Sequence, residues 1–402
     1  MSEITGFGLI VTVVAAVFAL AVFSNKLSEW FPVPAPAIFL LAAALAARLS
    51  DRLSSQLSIR DVERIAVVAL VAILFDGGMR VGWRRFRVSA VPISLLGVFG
   101  TFGTAAVIAL AGRYLFDFSW TGAGLLGAAL APTDPAVMFS VLGKREVGGR
   151  TGTILEGESG VNDPVGIALM IGMLEFATHA DASFWTVVRE FVVEMSVGLA
   201  IGLAGALVLL QSVRRISLVN PALYPLRSLA AAGVIYGVAA IAHGSGFLAV
   251  FVAGILLGDA DYPHRRDVVR FHKSLASLAE VVVFVALGLT VNNVPLESVW
   301  KDAIFLSLIL AFVARPLATG PLLLPADLRR GERLFVMWSG LKGAVPILLA
   351  AFALLEGVGG ADRIYGIVFV VVTFSVIVQG STMPFVAERL GVPMRLLGQD
   401  DR

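Results

Sequence analysis

The sequence predicts an all-α membrane protein of about thirteen transmembrane helices, built as two inverted six-helix repeats whose fifth and twelfth helices are interrupted where they cross. Three observations carry that expectation. Of 402 residues, 58% are hydrophobic and 15% are charged, and the mean hydropathy is +0.88, whereas soluble domains carry roughly 25% charged residues. The apolar residues fall into runs of about 20, the length that crosses a ~30 Å hydrocarbon layer. Two of the runs are broken by Gly and Pro around a central charge, at corresponding places in the two halves of the chain.

Taken in order, the helices run roughly 7–23, 30–47, 62–79, 88–112, 119–143, 152–176, 184–211, 222–242, 246–259, 272–291, 299–324, 333–356 and 362–388. The first run, Phe7 to Phe23, follows Glu3 and not a basic segment, and no small-residue cleavage site follows it, so it reads as a retained helix and not a signal peptide. The connections are short, which leaves a single transmembrane domain over 1–388 and a short tail at 389–402, too short to fold on its own. Basic residues fix the expected orientation, because loops on the cytoplasmic side accumulate Lys and Arg. With the N-terminus outside, alternate loops hold Lys26; Arg80, Arg84, Arg85 and Arg87; Lys144, Arg145 and Arg150; Arg214 and Arg215; Arg265, Arg266, Arg270 and Lys273; and Arg329, Arg330 and Arg333. The tail adds Arg389, Arg395 and Arg402, while the opposite loops hold chiefly Arg48, Arg52, Arg60, Arg113 and Arg363. The alternation is unbroken and puts the C-terminus in the cytoplasm.

Several function classes drop out. There is no Cys, hence no disulfide and no thiolate metal site, and the net charge of +2 comes without the basic, aromatic-interleaved patch of a nucleic-acid binder. No Gly-x-Ser-x-Gly, phosphate loop or His-rich metal motif suggests an enzyme, and no cofactor is expected. The four histidines, at 179, 243, 264 and 272, lie in or near predicted loops and read as surface residues.

The informative residues are the intramembrane charges. Each costs at least ~2.5–3.5 kcal/mol at mid-membrane, so each is a functional hypothesis: Asp76, Asp134, Glu158, Asp163, Glu280, Arg315 and Lys342. In Leu130-Ala131-Pro132-Thr133-Asp134-Pro135, two prolines flank Thr-Asp. Each removes a backbone donor and pushes the preceding residue toward extended geometry, so continuous helix is impossible there. Non-helical backbone survives in a bilayer only where it is buried in protein or lines a cavity, the device that builds cation sites in carriers.

The next helix carries Glu156-Gly157-Glu158-Ser159-Gly160-Val161-Asn162-Asp163-Pro164. Ser159 and Asp163 are one turn apart and share a face, with Asn162 on the neighbouring stripe. Together with Thr133 they offer hydroxyl, carbonyl and carboxylate oxygens, ligands suited to a hard cation. In the second half, Ser339-Gly340-Leu341-Lys342-Gly343-Ala344-Val345-Pro346 is the matching interruption. Half-helix ends carry partial charges of about ±0.5, so Asp134 near positive ends and Lys342 near negative ends would balance the crossing. Glu280 either lines the cavity or pairs with a basic residue.

These stretches resemble the NhaP-type branch of the cation/proton antiporters, the sodium/hydrogen exchanger family. The resemblance rests on Ala131 to Pro135, Gly157 to Pro164, Leu74-Phe75-Asp76-Gly77-Gly78 and Gly340 to Pro346, and it covers essentially the whole chain. It implies that Asp163 binds proton and cation in alternation with Asn162 beside it, and that Thr133 and Ser159 complete the shell around a transient Na⁺ or K⁺. It also implies that Glu158 pairs with Arg315 as a buried bridge, and that Asp134 and Lys342 stabilise the helix crossing, with Asp76 as a further supporting charge. An Asn-Asp pair implies electroneutral one-for-one exchange. The family further implies a homodimer in the plasma membrane, with a mobile core of helices about 88–176 and 299–388 and a scaffold of helices about 7–79 and 184–291. The family's usual arginine in the helix-12 motif is Lys342 here, and the choice between Na⁺ and K⁺, with Li⁺ as a further candidate, stays open. The rival is an organic-solute carrier of the same inverted-repeat architecture, expected to lack the Thr-Asp and Asn-Asp carboxylates. A channel would need a continuous filter or charged ring, which the sequence does not contain.

Overall fold

A computed structural model describes residues 34–49, 58–142, 145–179, 183–293 and 296–396. Lipid offers backbone N–H and C=O groups no partner, so apolar runs of this length are driven into helix. Among the described residues, eight helices are long and apolar enough to cross a membrane, and the shorter apolar helices Ala35–Leu49, Gly246–Gly258 and Ala344–Leu355 accompany them.

In chain order the helices are α1 (Ala35–Leu49), α2 (Ile59–Ser94), α3 (Thr101–Leu115), α4 (Trp120–Leu130), α5 (Pro135–Leu142), α6 (Gly149–Thr178), α7 (Phe184–Arg215) and α8 (Leu223–Ile241). They continue with α9 (Gly246–Gly258), α10 (Arg265–Leu289), α11 (Leu296–Ile309), α12 (Arg315–Thr319), α13 (Arg330–Trp338), α14 (Ala344–Leu355), α15 (Ala361–Phe374) and α16 (Gly380–Arg389). Wider π-helical turns join α2 to α3, α11 to α12 and α15 to α16, at Leu95–Gly100, Leu310–Ala314 and Ser375–Gln379.

Ile59 to Leu115 is a helical run of 57 residues, which as one rod would span about 85 Å, far more than a bilayer. Gly82 divides it. With φ 63° and ψ 156° it takes a conformation open to glycine and strained for other residues. A side chain there would also collide with Asp259. The Asp259 carboxylate accepts a hydrogen bond from Arg84 N–H at 2.6 Å, so an acid from a distant helix end caps the segment that restarts after the break. The expected loop at Arg80–Arg87 is therefore a bend at one residue.

Where α2 crosses α9, backbone meets backbone. A Cβ on Gly78 would overlap the Phe251 carbonyl, one on Gly254 the Phe75 carbonyl, and one on Gly258 the Met79 carbonyl. Small residues permit this approach, and they are the usual means of bringing helices together where apolar burial gives no net drive. The crossing sets Asp76 at a fixed depth, 1% exposed. By contrast α7 keeps its apolar surface outward, with Trp185 74% and Leu207 58% exposed.

The described residues hold counterparts of the second to thirteenth predicted helices, with Gly82 taken as a boundary. The first, at 7–23, lies outside the described residues, as do Lys26, Arg52, Lys144 and Arg402. Several helices run past their expected ends: α10 begins at Arg265 and not near 272, and α7 reaches Arg215. Hydropathy marks the lipid-facing stretch, while the backbone continues its hydrogen bonds through charged residues that are good helix formers. One consequence corrects the reading of His272. It is 1% exposed inside α10, its Nε2 lies 2.8 Å from Ser228 Oγ, and Phe75 meets it edge-on.

One short strand pair accompanies the helices and draws in the tail. Residues 394–396 do not hang free but form a strand, β2 (Met394–Leu396), antiparallel to β1 (Arg145–Val147), with Glu146 opposite Arg395. Gly148 N–H donates to Pro393 O at 2.8 Å and Arg395 pairs with Glu146 at 3.0 Å. Three residues are too few for alternation to be read in sequence.

Gly254→Ala is expected to destabilise the fold by about 1–3 kcal/mol, since one methyl group enters a filled site against fixed backbone. The thermal midpoint of the detergent-solubilised chain reads this, and an unchanged midpoint would refute the backbone-to-backbone crossing of α2 and α9.

Candidate functional site

The site grows out of the two breaks. Between α4 and α5, residues 131–134 leave the helix, and between α13 and α14, residues 339–343 do the same. The interrupted segments meet: Asp134 N–H donates to Leu341 O at 2.8 Å, joining the two breaks through backbone alone.

Lys342 supplies the second link. Its Nζ donates to Ala131 O at 2.9 Å and Pro132 O at 2.8 Å, the carbonyls exposed where α4 ends. A fully buried ammonium thus answers the negative end of one half-helix. Its own backbone N–H donates to Ser375 Oγ at 2.9 Å, Ser375 Oγ donates to Gln379 Oε1 at 3.1 Å, and Gln379 Nε2 returns to Trp338 O at 2.6 Å. Ser375 and Gln379 were missed in the sequence. Their signal was two polar residues one turn apart in an otherwise apolar run.

Asp134 takes the opposite ends. Its Oδ1 accepts from Ala136 N–H in the first turn of α5 at 2.8 Å. Gly343, just before α14, lies so close that a Cβ there would overlap the Asp134 carboxylate. An anion therefore sits where two half-helices begin, and a cation where another ends.

Thr133 of the first break meets Ser159 and Asn162 of α6, the helix that also carries Asp163. Ser159 Oγ donates to Thr133 O at 2.7 Å and Asn162 Nδ2 donates to Thr133 Oγ1 at 2.7 Å, while Thr133 N–H reaches Asn162 Oδ1 at 3.4 Å. All four are buried. Asp163 differs from the others: its Oδ1 is buried with no hydrogen-bond partner. Its charged neighbours are Asp134 and Lys342. A buried carboxylate oxygen left unpaired is costly. One turn along α6 from Ser159 and next in the chain to Asn162, both of which bond Thr133, it has the chemistry of a receptor for a proton or a bare cation.

Glu158 lies elsewhere on α6 and is closed off. Arg315 Nη1 and Nη2 donate to its two carboxylate oxygens at 2.5 and 2.9 Å, and both side chains are buried. The π-helical turn Leu310–Ala314 directly precedes Arg315, and a Cβ at Gly340 would crowd the guanidinium, so the fork is held by its surroundings. Asp76 is not hydrogen-bonded into the Thr133–Asp163 cluster. Its Oδ2 takes Arg80 Nε at 2.9 Å and its Oδ1 is unpartnered. Glu280, whose two readings were left open, has a buried Oε1 without a hydrogen bond and counts Asp134 and Arg80 among its charged neighbours.

The family described as "Sodium/hydrogen exchanger, transmembrane" matches residues 12–389. The chain belongs to the sodium/hydrogen exchanger family. It is 33% identical over 389 residues to the K(+)/H(+) antiporter NhaP of Alkalimonas amylolytica, covering 96% of this chain and 68% of that protein. It is 31% identical to the K(+)/H(+) antiporter NhaP2 of Shewanella sp. (strain ANA-3), covering 95% of this chain and 66% of the relative. The chain thus spans about two thirds of the length of these relatives. The Na(+)/H(+) antiporter NhaH of Halobacillus aidingensis is 28% identical, with 83% and 85% covered. The fold is similar to that of the sodium proton antiporter MjNhaP1 from Methanocaldococcus jannaschii at pH 8, with a TM-score of 0.79, 22% identity, and 92% and 98% of the two chains covered. Family membership sets aside the organic-solute alternative.

Arg315→Met is expected to cost about 3–5 kcal/mol, because it strands Glu158 as a buried unpaired charge. The double variant Glu158→Gln/Arg315→Met recovers most of that loss, as removing both partners of a buried pair does. Thermal unfolding in detergent measures both, and a single variant as stable as the parent would show that the pair is not buried as described.

Proposed function

We propose that this chain is a secondary antiporter that exchanges a monovalent cation, Na⁺ or K⁺, for H⁺ across the plasma membrane, one for one and without net charge movement. The observation that carries the reading is the buried, unpaired Oδ1 of Asp163, one turn along α6 from the Ser159 that bonds Thr133. Family membership supports it, as do relatives named as K(+)/H(+) and Na(+)/H(+) antiporters.

Asp163 holds either a proton or a cation and never both, so the two fluxes are coupled without a separate gate. The cation loses its water to Asp163, Ser159 and Thr133, with Asn162 fixing the Thr133 hydroxyl from the other side. Because Asn162 is neutral, one carboxylate titrates per cycle, which makes the exchange electroneutral. Neutralised, the site crosses; charged, it is held back by the cost of carrying an unpaired carboxylate through apolar surroundings.

The moving body comprises the helices about 88–176 and 299–388, tied together by Lys342, Asp134 and the Glu158–Arg315 pair. The scaffold comprises those about 7–79 and 184–291, and it pairs with a second copy in a homodimer. The N-terminus faces outward and the C-terminus the cytoplasm, as the Lys and Arg distribution supports.

The test is dissipation of a pH gradient in sealed proteoliposomes on adding Na⁺, K⁺ or Li⁺ in turn. The parent chain is expected to move protons with at least one cation, at a rate that clamping the membrane potential does not alter. Asp163→Asn is expected to abolish the response while leaving the thermal midpoint close to the parent's. Retained exchange in that variant would remove Asp163 from the site, and a rate that follows the membrane potential would exclude one-for-one exchange.

A further inference from the structure

The face of α6 next to the candidate site carries no side chain at Gly160. Asp163 follows Gly160 by three positions, which at about 100° per residue leaves about 60° between them around the helix. The vacant space is filled by the Phe251 ring of α9. A methyl group placed on Gly160 would overlap the Cδ2, Cε2 and Cζ atoms of that ring, which is 1% exposed.

The ring cannot be displaced by moving its backbone. Gly78 meets the Phe251 carbonyl, and Gly254, one turn on, meets the Phe75 carbonyl, so α9 is pressed against α2 at the level of the ring. The other glycine notches of α6 near the site are filled from α2 and the first break, by Ile93 at Gly157 and by Pro132 at Gly166. Phe251 thus reaches α6 from α9, in the scaffold as assigned above, at the depth of Asp163.

We propose that Phe251 is a positioning residue for transport: its ring, seated in the Gly160 notch, is a steric catch that must leave before the core slides past the scaffold. The inference rests on the core–scaffold reading given under the proposed function. Close-packed interfaces move between discrete arrangements and do not deform smoothly, so one rigid side chain in one notch defines a resting position. Neither partner offers a polar side-chain atom to a cation. The catch therefore governs how fast the core moves, not how tightly the cation is held.

The experiment measures initial exchange rates in proteoliposomes against cation concentration for the parent, Phe251→Leu, Gly160→Ala and Gly160→Ala/Phe251→Ala. Phe251→Leu is expected to raise the maximal rate about twofold or more, with the half-saturating concentration within about threefold of the parent's. Gly160→Ala overpacks the conformer described here and is expected to lower the maximal rate about tenfold, with the half-saturating concentration again held. Adding Phe251→Ala is expected to restore at least about half of the parent rate, because the added methyl then meets open space.

A double variant as slow as Gly160→Ala alone, or a loss that lies in the half-saturating concentration, overturns the proposal. So does a Phe251→Leu chain that matches the parent; this variant decides the matter if Gly160→Ala does not fold. Asp163→Asn in the same vesicles separates the two readings. If it still exchanges, the site assignment fails. If it is silent while both Phe251 variants behave as their parents do, only the catch fails.

Discussion

Two helices are interrupted inside an apolar slab, and every backbone group their breaks release has to be answered without water. Lys342 answers the carbonyls of Ala131 and Pro132, and Asp134 N–H answers the carbonyl of Leu341, so each break is satisfied by the other. An unanswered polar group in this setting costs several kcal/mol. The crossing is therefore obligatory: neither interrupted helix is tolerable alone, and together they form a unit that holds Thr133, outside regular helix, against Ser159 and Asn162 of α6. Ser375, Gln379 and Trp338 extend the unit on the far side, where a π-helical turn sets Ser375 against the Lys342 N–H.

Around that crossing the buried charges sort into two kinds. Glu158 and Arg315 satisfy each other through a bidentate fork, and Lys342 and Asp134 are absorbed by helix ends. Such groups cost much to break and contribute little by being present. Asp163 is left with an unpaired oxygen. Four charged residues secure the breaks and the frame, while Asp163, one turn from Ser159 on α6, keeps a carboxylate oxygen open. Asp76 and Glu280 each also keep a buried, unpaired carboxylate oxygen, but neither lies on α6 next to the Ser159 and Asn162 that bond Thr133.

Glycine decides where bodies touch. At Gly78, Gly254 and Gly258 it brings α2 and α9 into backbone contact, which makes that pair a stiff anchor. At Gly160 it instead receives a ring from across the interface. The same absence of a side chain admits backbone at one contact and an aromatic ring at the other. The difference lies in what fills the space: backbone is fixed by its helix, whereas a side chain has rotamers of its own.

Much of this was legible in the chain itself. Composition and run length specify a helical membrane protein, because apolar residues in lipid leave the backbone no alternative to helix. Pro132, Pro135, Gly340 and Gly343 mark both interruptions, since each acts on its own backbone regardless of neighbours. The residue types at 133, 159, 162 and 163 declare oxygen ligands, and their spacing puts Ser159 and Asp163 on one face. Tertiary structure decided what depends on which surfaces meet. It chose the partners of Lys342 two hundred residues away, turned the expected loop at Arg80–Arg87 into a bend at Gly82, buried His272, and drew Met394–Leu396 back onto Arg145–Val147. Local sequence states how a segment can bend and what chemistry it carries. Which oxygen is left unpaired is a property of the assembled interior, where neighbouring donors are taken by other acceptors.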